Sequence, residues 1–294
     1  MTLLDLSRAQ VHHRIEGTGL PLLFLHGAGG NLFSWFQQIP YFSREFMCAA
    51  IDQPGFGASR WLNGPTEFAD VLDDYVGHFG WERFAIVAHS LGGWAALRLT
   101  LRRPHQAVAL VLSSSWAGIQ VPEALRELEA REPQLQAARA AWVRQEPSSF
   151  MPGCGARLAR EQPSLHWLAT AIASLNRGAG QAVWQRDPDG KFDAQLCPET
   201  DPEALKGWRI PTLCIAGEED VVVPPKALEA VARAIAGAEF VSVPRTGHSV
   251  FLERAEQFNG LVHRFLRGRT GGEERTEGSG LTSVCSRRPP SGRV

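Results

Sequence analysis

A serine flanked by small residues is the strongest local sign of chemistry in this sequence. Ser90 stands in the run Ala88-His89-Ser90-Leu91-Gly92-Gly93, between a short apolar stretch and residues typical of a helix. A serine nucleophile at a sharp strand-to-helix turn needs small neighbours, because the turn brings the strand and the helix close together. The pattern predicts that Ser90 is a nucleophile, with Ala88 replacing the usual glycine; a helix cap is the alternative interpretation.

A glycine-rich turn supplies a second part of the same chemistry. His26-Gly27-Ala28-Gly29-Gly30 follows an apolar run, and its backbone N–H groups can point at a developing negative charge. The N–H groups of Ala28 and Leu91 together would form an oxyanion hole, in which each donor lowers the barrier by roughly 3 kcal/mol. A phosphate-binding loop is disfavoured, because the chain has no Gly-x-x-x-x-Gly-Lys motif.

An acid is expected after the apolar run at 211–217. Glu218, Glu219 and Asp220 compete for this position. We select Asp220, because the apolar residues 221–224 fix the residue before them in the loop. Glu218 and Glu219 are interpreted as solvated loop charges.

The base is predicted to be His248, in Thr246-Gly247-His248-Ser249. Among nine histidines it is the one that comes after the acid and past a strand end. The chain order Ser90, Asp220, His248 is the order in which a doubly wound hydrolase assembles a serine triad. The three residues therefore predict acyl transfer, with Ser90 as nucleophile, His248 as base and Asp220 orienting the imidazole.

The elements that must position these residues follow a regular rhythm. Short apolar runs alternate with amphipathic stretches, as in parallel strands joined by crossover helices. The candidate residues follow the ends of such runs, and ligands of parallel sheets gather beyond the carboxyl ends of the strands. The runs are residues 21–25, 46–51, 84–88, 107–112, 211–217 and about 239–244.

The strand rhythm stops between two parts of the chain and is replaced by helical sequence rich in Glu, Arg and Ala. We therefore expect a core formed by residues 1–115 and 208–267, with a helical cap, residues 116–207, inserted in the second half. The last segment, 268–294, is rich in Gly, Arg, Glu, Ser and Pro and is expected to be disordered.

Over nearly all of residues 20–266 the sequence resembles the α/β-hydrolase superfamily, and specifically its cap-bearing serine esterase-like members. The four pieces above carry this resemblance, together with residues 52–59, Asp-Gln-Pro-Gly-Phe-Gly-Ala-Ser, which look like the family's Asp-x-Pro-Gly-x-Gly-x-Ser loop. The resemblance implies an α/β-hydrolase fold, with a mostly parallel central sheet flanked by helices. It also implies a structural role for Asp52, and His26 is expected to brace the oxyanion turn.

The resulting hypothesis is a serine hydrolase that cleaves carboxylic esters of small to medium apolar or aromatic acyl groups through an acyl-enzyme. No cofactor is expected, and no metal, because the remaining histidines lack ligand spacing. Several residues of the turn, the cap and the closing helix are predicted to bind substrate, although the cap aromatics could instead form the cap's own core. These predicted binding residues are Gly27, Gly29, His89, Trp116, Trp142, Trp167, Trp184 and Val250.

Other activities of the same fold stay open as alternatives. A carbon-carbon bond hydrolase of ring-cleavage products ranks second; such members usually have Asn before the nucleophile and Trp after the histidine, where this chain has His89 and Ser249. A lactonase or a cofactor-free haloperoxidase would use the same triad. A ligand receptor on the hydrolase fold is the non-enzyme alternative.

Composition limits the partners. Lys and Arg total 30 against 31 Asp and Glu, a net charge of -1, so binding to nucleic acid or an anionic membrane is disfavoured. Five cysteines, an odd number, favour a reduced compartment, and charged residues in the first twenty positions interrupt any signal-peptide core. We expect a cytoplasmic monomer or small homo-oligomer whose partner is a small-molecule ester.

Overall fold

The computed structural model describes residues 2–144, 151–176, 195–267 and 269, and a single sheet of nine strands runs through them. The sheet order is β1-β2-β4-β3-β6-β7-β8-β9, and β5 pairs with β2 at one side. The strands are β1 (Thr2–Asp5), β2 (Ala9–Glu16), β3 (Pro21–Leu25), β4 (Met47–Ile51), β5 (Arg60–Trp61), β6 (Phe84–His89), β7 (Ala107–Ser113), β8 (Thr212–Gly217) and β9 (Glu239–Val243).

Six neighbouring strands, β4, β3, β6, β7, β8 and β9, are parallel, and they correspond to the six apolar runs. Every residue of β6 and β8 is buried, as expected for strands covered on both faces. The sequence did not predict β1, β2 and β5, which pair antiparallel at the edge. Their signal is weaker, because β2 alternates buried with partly exposed residues instead of forming an apolar run.

Helices cover both faces of this sheet. Buried side chains of α2, α3 and α7 form one apolar cluster with the sheet, and those of α1, α8 and α9 form another on the opposite face. The mostly parallel α/β-hydrolase fold predicted from the sequence is therefore confirmed. The helices are α1 (Ile39–Phe42), α2 (Phe68–His78), α3 (Gly92–Arg102), α4 (Pro122–Val143), α5 (Ala156–Glu161), α6 (Pro163–Ser174), α7 (Pro225–Ala234), α8 (Val250–Glu253) and α9 (Ala255–Arg267).

The segment between β7 and β8, called the insertion below, contributes α4, α5 and α6. The longest of these helices, α4, is one helix of 22 residues with Pro133 inside it. The closing helical segment is divided into α8 and α9, because the backbone of Arg254 leaves the helical region. The expected disordered tail, 268–294, lies outside the described residues except for Arg269.

Two buried histidines link neighbouring segments of the core. His13 hydrogen-bonds through Nδ1 with the Tyr75 hydroxyl at 2.8 Å. The Nδ1–H of His26 donates to the Gly27 carbonyl at 2.7 Å, and its Nε2 accepts from the Gln53 N–H at 3.0 Å, so both ring nitrogens are used by the neutral imidazole. Burial lowers the pKa of both histidines below the ordinary value of 6.5.

These histidines predict that stability falls in mildly acidic solution. Below pH 6.5 both histidines bind protons in the unfolded chain but stay neutral in the folded chain. The free energy of unfolding therefore decreases as the pH falls. Each such histidine contributes a slope of up to about 1.4 kcal/mol per pH unit. When the free energy of unfolding is measured with urea at pH 7.5, 6.5 and 5.5, its slope against pH should be smaller for His13→Gln than for wild type. Replacing the exposed His105 with Gln is the control; an equal change in both variants would contradict this account.

Candidate active site

Ser90 lies at a strained turn between the end of β6 and the start of α3. Its φ is 49°, in the left-handed region that residues with a side chain rarely occupy. The Ser90 N–H donates to the Ser113 carbonyl at 3.0 Å, and the Ser115 hydroxyl donates to the Ser90 carbonyl at 2.5 Å. The last residue of β7 and the loop just after it therefore hold the turn through its N–H and its carbonyl.

The small residue predicted after the serine has a direct structural reason. A Cβ atom on Gly92 would lie 2.7 Å from the carbonyl oxygen of Leu25 and 2.8 Å from that of His26. The first turn of α3 thus packs directly against the backbone at the end of β3. Only glycine fits this contact, which brings the Ser90 turn next to the glycine-rich turn.

His248 and Asp220 form a buried hydrogen-bonded pair. The two residues join through His248 Nδ1 and Asp220 Oδ2 at 2.9 Å, and each is 5% exposed. The other carboxylate oxygen of Asp220 accepts the N–H groups of Val222 at 2.7 Å and Val223 at 2.9 Å. These bonds fix the carboxylate, which in turn fixes the imidazole so that Nε2 remains for other contacts.

The two competing acids lie elsewhere. Glu218 is exposed and accepts the N–H of Arg245. Glu219 pairs with Arg157 of the insertion at 2.6 Å. Of the three acids considered, Asp220 is the one that contacts His248.

The glycine-rich turn faces the Ser90 turn. The backbone N–H groups of Ala28 and Leu91 have no hydrogen-bond acceptor within the part of the chain that the structure describes. Asp52 lies behind the turn, where its carboxylate accepts the N–H groups of Leu32 at 2.6 Å and Ala58 at 2.9 Å. It also hydrogen-bonds with His12 at 2.8 Å, so its contacts are those of a structural link between three segments.

Ser90 and His248 both line a cavity of about 290 Å³. The insertion contributes Trp142 and part of the apolar wall. The structure thus brings together most of the residues predicted around the nucleophile. Besides Ser90 and His248, the predicted residues that line the cavity are Gly27, Ala28, Gly29, His89 and Trp142.

Three predicted binding residues do not line this cavity. The Trp116 ring packs edge-on against Trp94 at 4.9 Å, because the chain leaving β7 runs over α3. Trp167 is 75% exposed on the outer side of α6. Val250 is fully buried in the core as the first residue of α8. A fourth, Trp184, lies outside the described residues.

His89 connects the Ser90 turn with the loop that carries His248. Its Nε2–H donates to the His248 carbonyl at 3.1 Å, and the two ring centroids are 4.7 Å apart. Burial, and secondarily the neighbouring His248, hold the pKa of His89 well below its usual value. His89 therefore stays neutral and braces the loop that carries His248.

Two polar residues near the site were missed by the sequence analysis. Asn176 follows α6 and contacts the glycine-rich turn, and Glu253 ends α8 and contacts the loop around His248. Nothing in their local sequence marks them: all backbone partners of Asn176 are distant along the chain, and Glu253 joins the nearby Gly247 and Ser249 to the distant Gly155. Among the described residues, no three His, Cys, Asp or Glu side chains are grouped as metal ligands. No helix in the same ranges has the length and apolar character needed to cross a membrane.

Comparisons with known proteins agree with this architecture. A protein of Klebsiella pneumoniae named "Putative carbamate hydrolase RutD" is 28% identical over 260 residues, which cover 83% of this chain and 90% of the relative. A pimeloyl-acyl-carrier-protein methyl ester esterase of Nitrosomonas europaea is 27% identical over 269 residues, which cover 85% of this chain and 97% of the relative. The solved structure of Est816, described as an N-acyl homoserine lactone degrading enzyme, is 25% identical, with a TM-score of 0.68 over 87% of this chain and 97% of that one.

The match to a family model covers most of the chain. The model describes the alpha/beta hydrolase fold and matches residues 21–255, from the first strand of the parallel sheet into the closing helices. With this match and the sheet described above, the chain belongs to the α/β-hydrolase fold family.

Proposed function

We propose that this α/β hydrolase cleaves carboxylic esters of small to medium apolar or aromatic acyl groups through an acyl-enzyme on Ser90. One observation carries the proposal. Ser90 at its strained turn and His248, held by Asp220, line the same cavity. A serine is inert at neutral pH unless a base removes its proton, and this arrangement supplies the base and its orienting acid.

In the proposed first half-reaction, Ser90 Oγ attacks the ester carbonyl carbon while His248 Nε2 takes the hydroxyl proton. Asp220 holds Nδ1–H and stabilises the imidazolium. The tetrahedral intermediate then collapses: the bond to the alcohol oxygen breaks, and the proton on Nε2 passes to that oxygen. The alcohol leaves and the acyl group remains as an ester of Ser90.

In the second half-reaction a water molecule gives a proton to His248 Nε2 and attacks the acyl carbon. Collapse of this second intermediate breaks the bond to Ser90 Oγ, which takes the proton back, and the carboxylic acid leaves. The N–H groups of Ala28 and Leu91, which have no acceptor among the described residues, would bind the oxyanion in both halves. Each such donor contributes roughly 3 kcal/mol.

The cavity walls support the choice of acyl group. Its volume of about 290 Å³ is near the lower end of the ~300–1,000 Å³ that small-molecule sites span. Apolar side chains form much of the wall, so an apolar acyl chain or ring would be desolvated at low cost. The apolar lining includes Trp142, Met151, Ile172, Val222, Phe251 and Leu252.

Carbamates and lactones are the second candidate substrates, because relatives named for these activities match most of this chain. Both present an acyl carbon that the same attack by Ser90 would open. A ring-cleavage dienone and a purely ligand-binding role are further outcomes that the first experiment below distinguishes.

The proposed nucleophile predicts the outcome of an ester series. With p-nitrophenyl esters of increasing acyl length, kcat/KM should be highest for short to medium chains, and Ser90→Ala should lower kcat by at least about 10⁴-fold. Ser174→Ala, an exposed serine of the insertion, is the matched control. Faster cleavage of a carbamate, a lactone or a dienone would replace the ester assignment. No turnover and no labelling of Ser90 by a fluorophosphonate would favour the receptor.

The Asp220–His248 pair predicts a second result. Asp220→Asn keeps the shape but cannot hold the imidazole in the required tautomer, so kcat should fall by about 10⁴-fold while the thermal midpoint changes little. The neighbouring Glu218→Gln, which removes an equal charge outside the pair, should retain activity. Steady-state kinetics of both variants at pH 7.5 make the comparison, and equal losses would show that Asp220 has no special role.

A further inference from the structure

Glu253 carries a buried carboxylate that the proposed reaction does not use. The residue is 4% exposed, at the end of α8. Its Oε1 accepts the N–H groups of Gly155 at 2.9 Å and Ser249 at 3.3 Å, and its Oε2 accepts the N–H of Gly247 at 3.1 Å. One side chain therefore binds the residues on both sides of His248 and a residue of the insertion.

A helix cap does not account for these bonds. Of the three N–H donors, only that of Ser249 belongs to the start of α8; Gly247 precedes the helix, and Gly155 lies 98 residues away along the chain. Burial raises the pKa of the Glu253 carboxyl, and the three N–H donors oppose this shift. No arginine or lysine forms an ion pair with it in the described ranges, so these donors are what offset its burial.

The backbones that Glu253 joins are also in direct contact. A Cβ atom on Gly155 would lie 2.8 Å from the Gly247 nitrogen and 2.7 Å from Glu253 Oε2. The Ser249 hydroxyl donates to the Gly153 carbonyl beside this contact. The loop that carries His248 is thus seated on the insertion, with the Glu253 carboxylate at the junction.

We propose that Glu253 is a positioning residue for His248: it ties the loop to the insertion and so sets the place of the imidazole relative to Ser90. The proposal rests on the proposed function, since it assigns His248 the role of base. Proton transfer depends steeply on the placement of the base, and a displacement of about 1 Å can cost on the order of 10²-fold in rate.

The test uses Glu253→Gln in the full chain. Glutamine keeps one acceptor oxygen but turns an NH₂ group toward N–H donors, so at least one of the three bonds is lost. We expect kcat to fall by roughly 10- to 100-fold with KM within about twofold of wild type, because Glu253 itself does not line the cavity. The exposed Glu256→Gln, which makes the same charge change three residues away, is the control.

A second variant approaches the junction from the other side. Gly155→Ala places a methyl group against Gly247 and the Glu253 carboxylate, and it should lower kcat in the same way. In both variants the downfield proton resonance of the His248–Asp220 hydrogen bond should shift or broaden, while a purely structural role would lower only the thermal midpoint.

The outcomes separate the two proposals. A wild-type protein that neither turns over esters nor reacts with a fluorophosphonate refutes the proposed function. The positioning role alone is refuted if the wild type is active and both variants keep its kcat per labelled site and its downfield proton resonance. If Glu253→Gln does not fold, Gly155→Ala decides.

An independent set of contacts supports a second positioning residue, at the glycine-rich turn. The Asn176 Nδ2 donates to the carbonyls of Gly29 at 2.7 Å and Gly30 at 3.1 Å, and its Oδ1 accepts the N–H of Gly57 at 2.7 Å. The same turn contains Ala28, whose N–H is one of the two proposed oxyanion donors. We infer that Asn176 holds this turn so that the N–H points into the cavity.

Replacing Asn176 should weaken binding of the transition state and leave binding of the substrate unchanged. We expect Asn176→Ala to lower kcat about tenfold at constant KM. The affinity for a boronic acid that forms a tetrahedral adduct with Ser90 should fall by the same factor. Asn176→Asp should do the same or worse, because it sets an anionic oxygen against two carbonyls. Asn63→Ala, which also removes one side-chain bond to a carbonyl, is the control. Unchanged kcat and unchanged boronate affinity in folded variants would overturn this inference.

Discussion

The strained backbone at Ser90 is the constraint on which the site depends. A left-handed conformation at a residue with a side chain costs of order 1–3 kcal/mol and persists only where the surroundings enforce it. Here the enforcement comes from the sheet and the loop that leaves it: β6 is buried on both faces, Ser113 at the end of β7 and Ser115 just after it bind the turn, and the backbone of α3 rests on that of β3. The rigid parallel sheet thus fixes the position of one hydroxyl group, and the remaining groups are brought to it by loops.

Those loops belong to segments that are far apart in the chain, which explains what sequence could and could not predict. The six parallel strands were predictable because each is a continuous apolar run, and so were the places of Ser90, Asp220 and His248 after the ends of β6, β8 and β9. The contacts of Asn176 with Gly29 and of Glu253 with Gly155 were not, because these partners lie 147 and 98 residues away. A side chain that binds distant backbone N–H or C=O groups leaves no pattern in its neighbourhood.

The residues that line the substrate pocket were also only partly predictable from the sequence. The insertion is rich in large apolar residues, but that richness does not reveal which way each side chain faces. Trp142 lines the cavity, whereas Trp167 on the next long helix is mostly exposed and Trp116 packs on Trp94. The three tryptophans belong to α4, to α6 and to the loop after β7, so the direction of each depends on how its own element packs.

The contact between the insertion and the loop that carries His248 limits how the insertion can change during evolution. The walls of the pocket and the support of the loop that carries His248 are parts of the same segment, since Met151 and Cys154 line the cavity within a few residues of the contact between Gly155 and Gly247. With the role proposed for His248, replacing the insertion with that of a relative would change selectivity and turnover together. A lineage that changes its substrate by remodelling this segment must conserve a glycine-to-glycine contact while it does so, which narrows the mutational routes open to it.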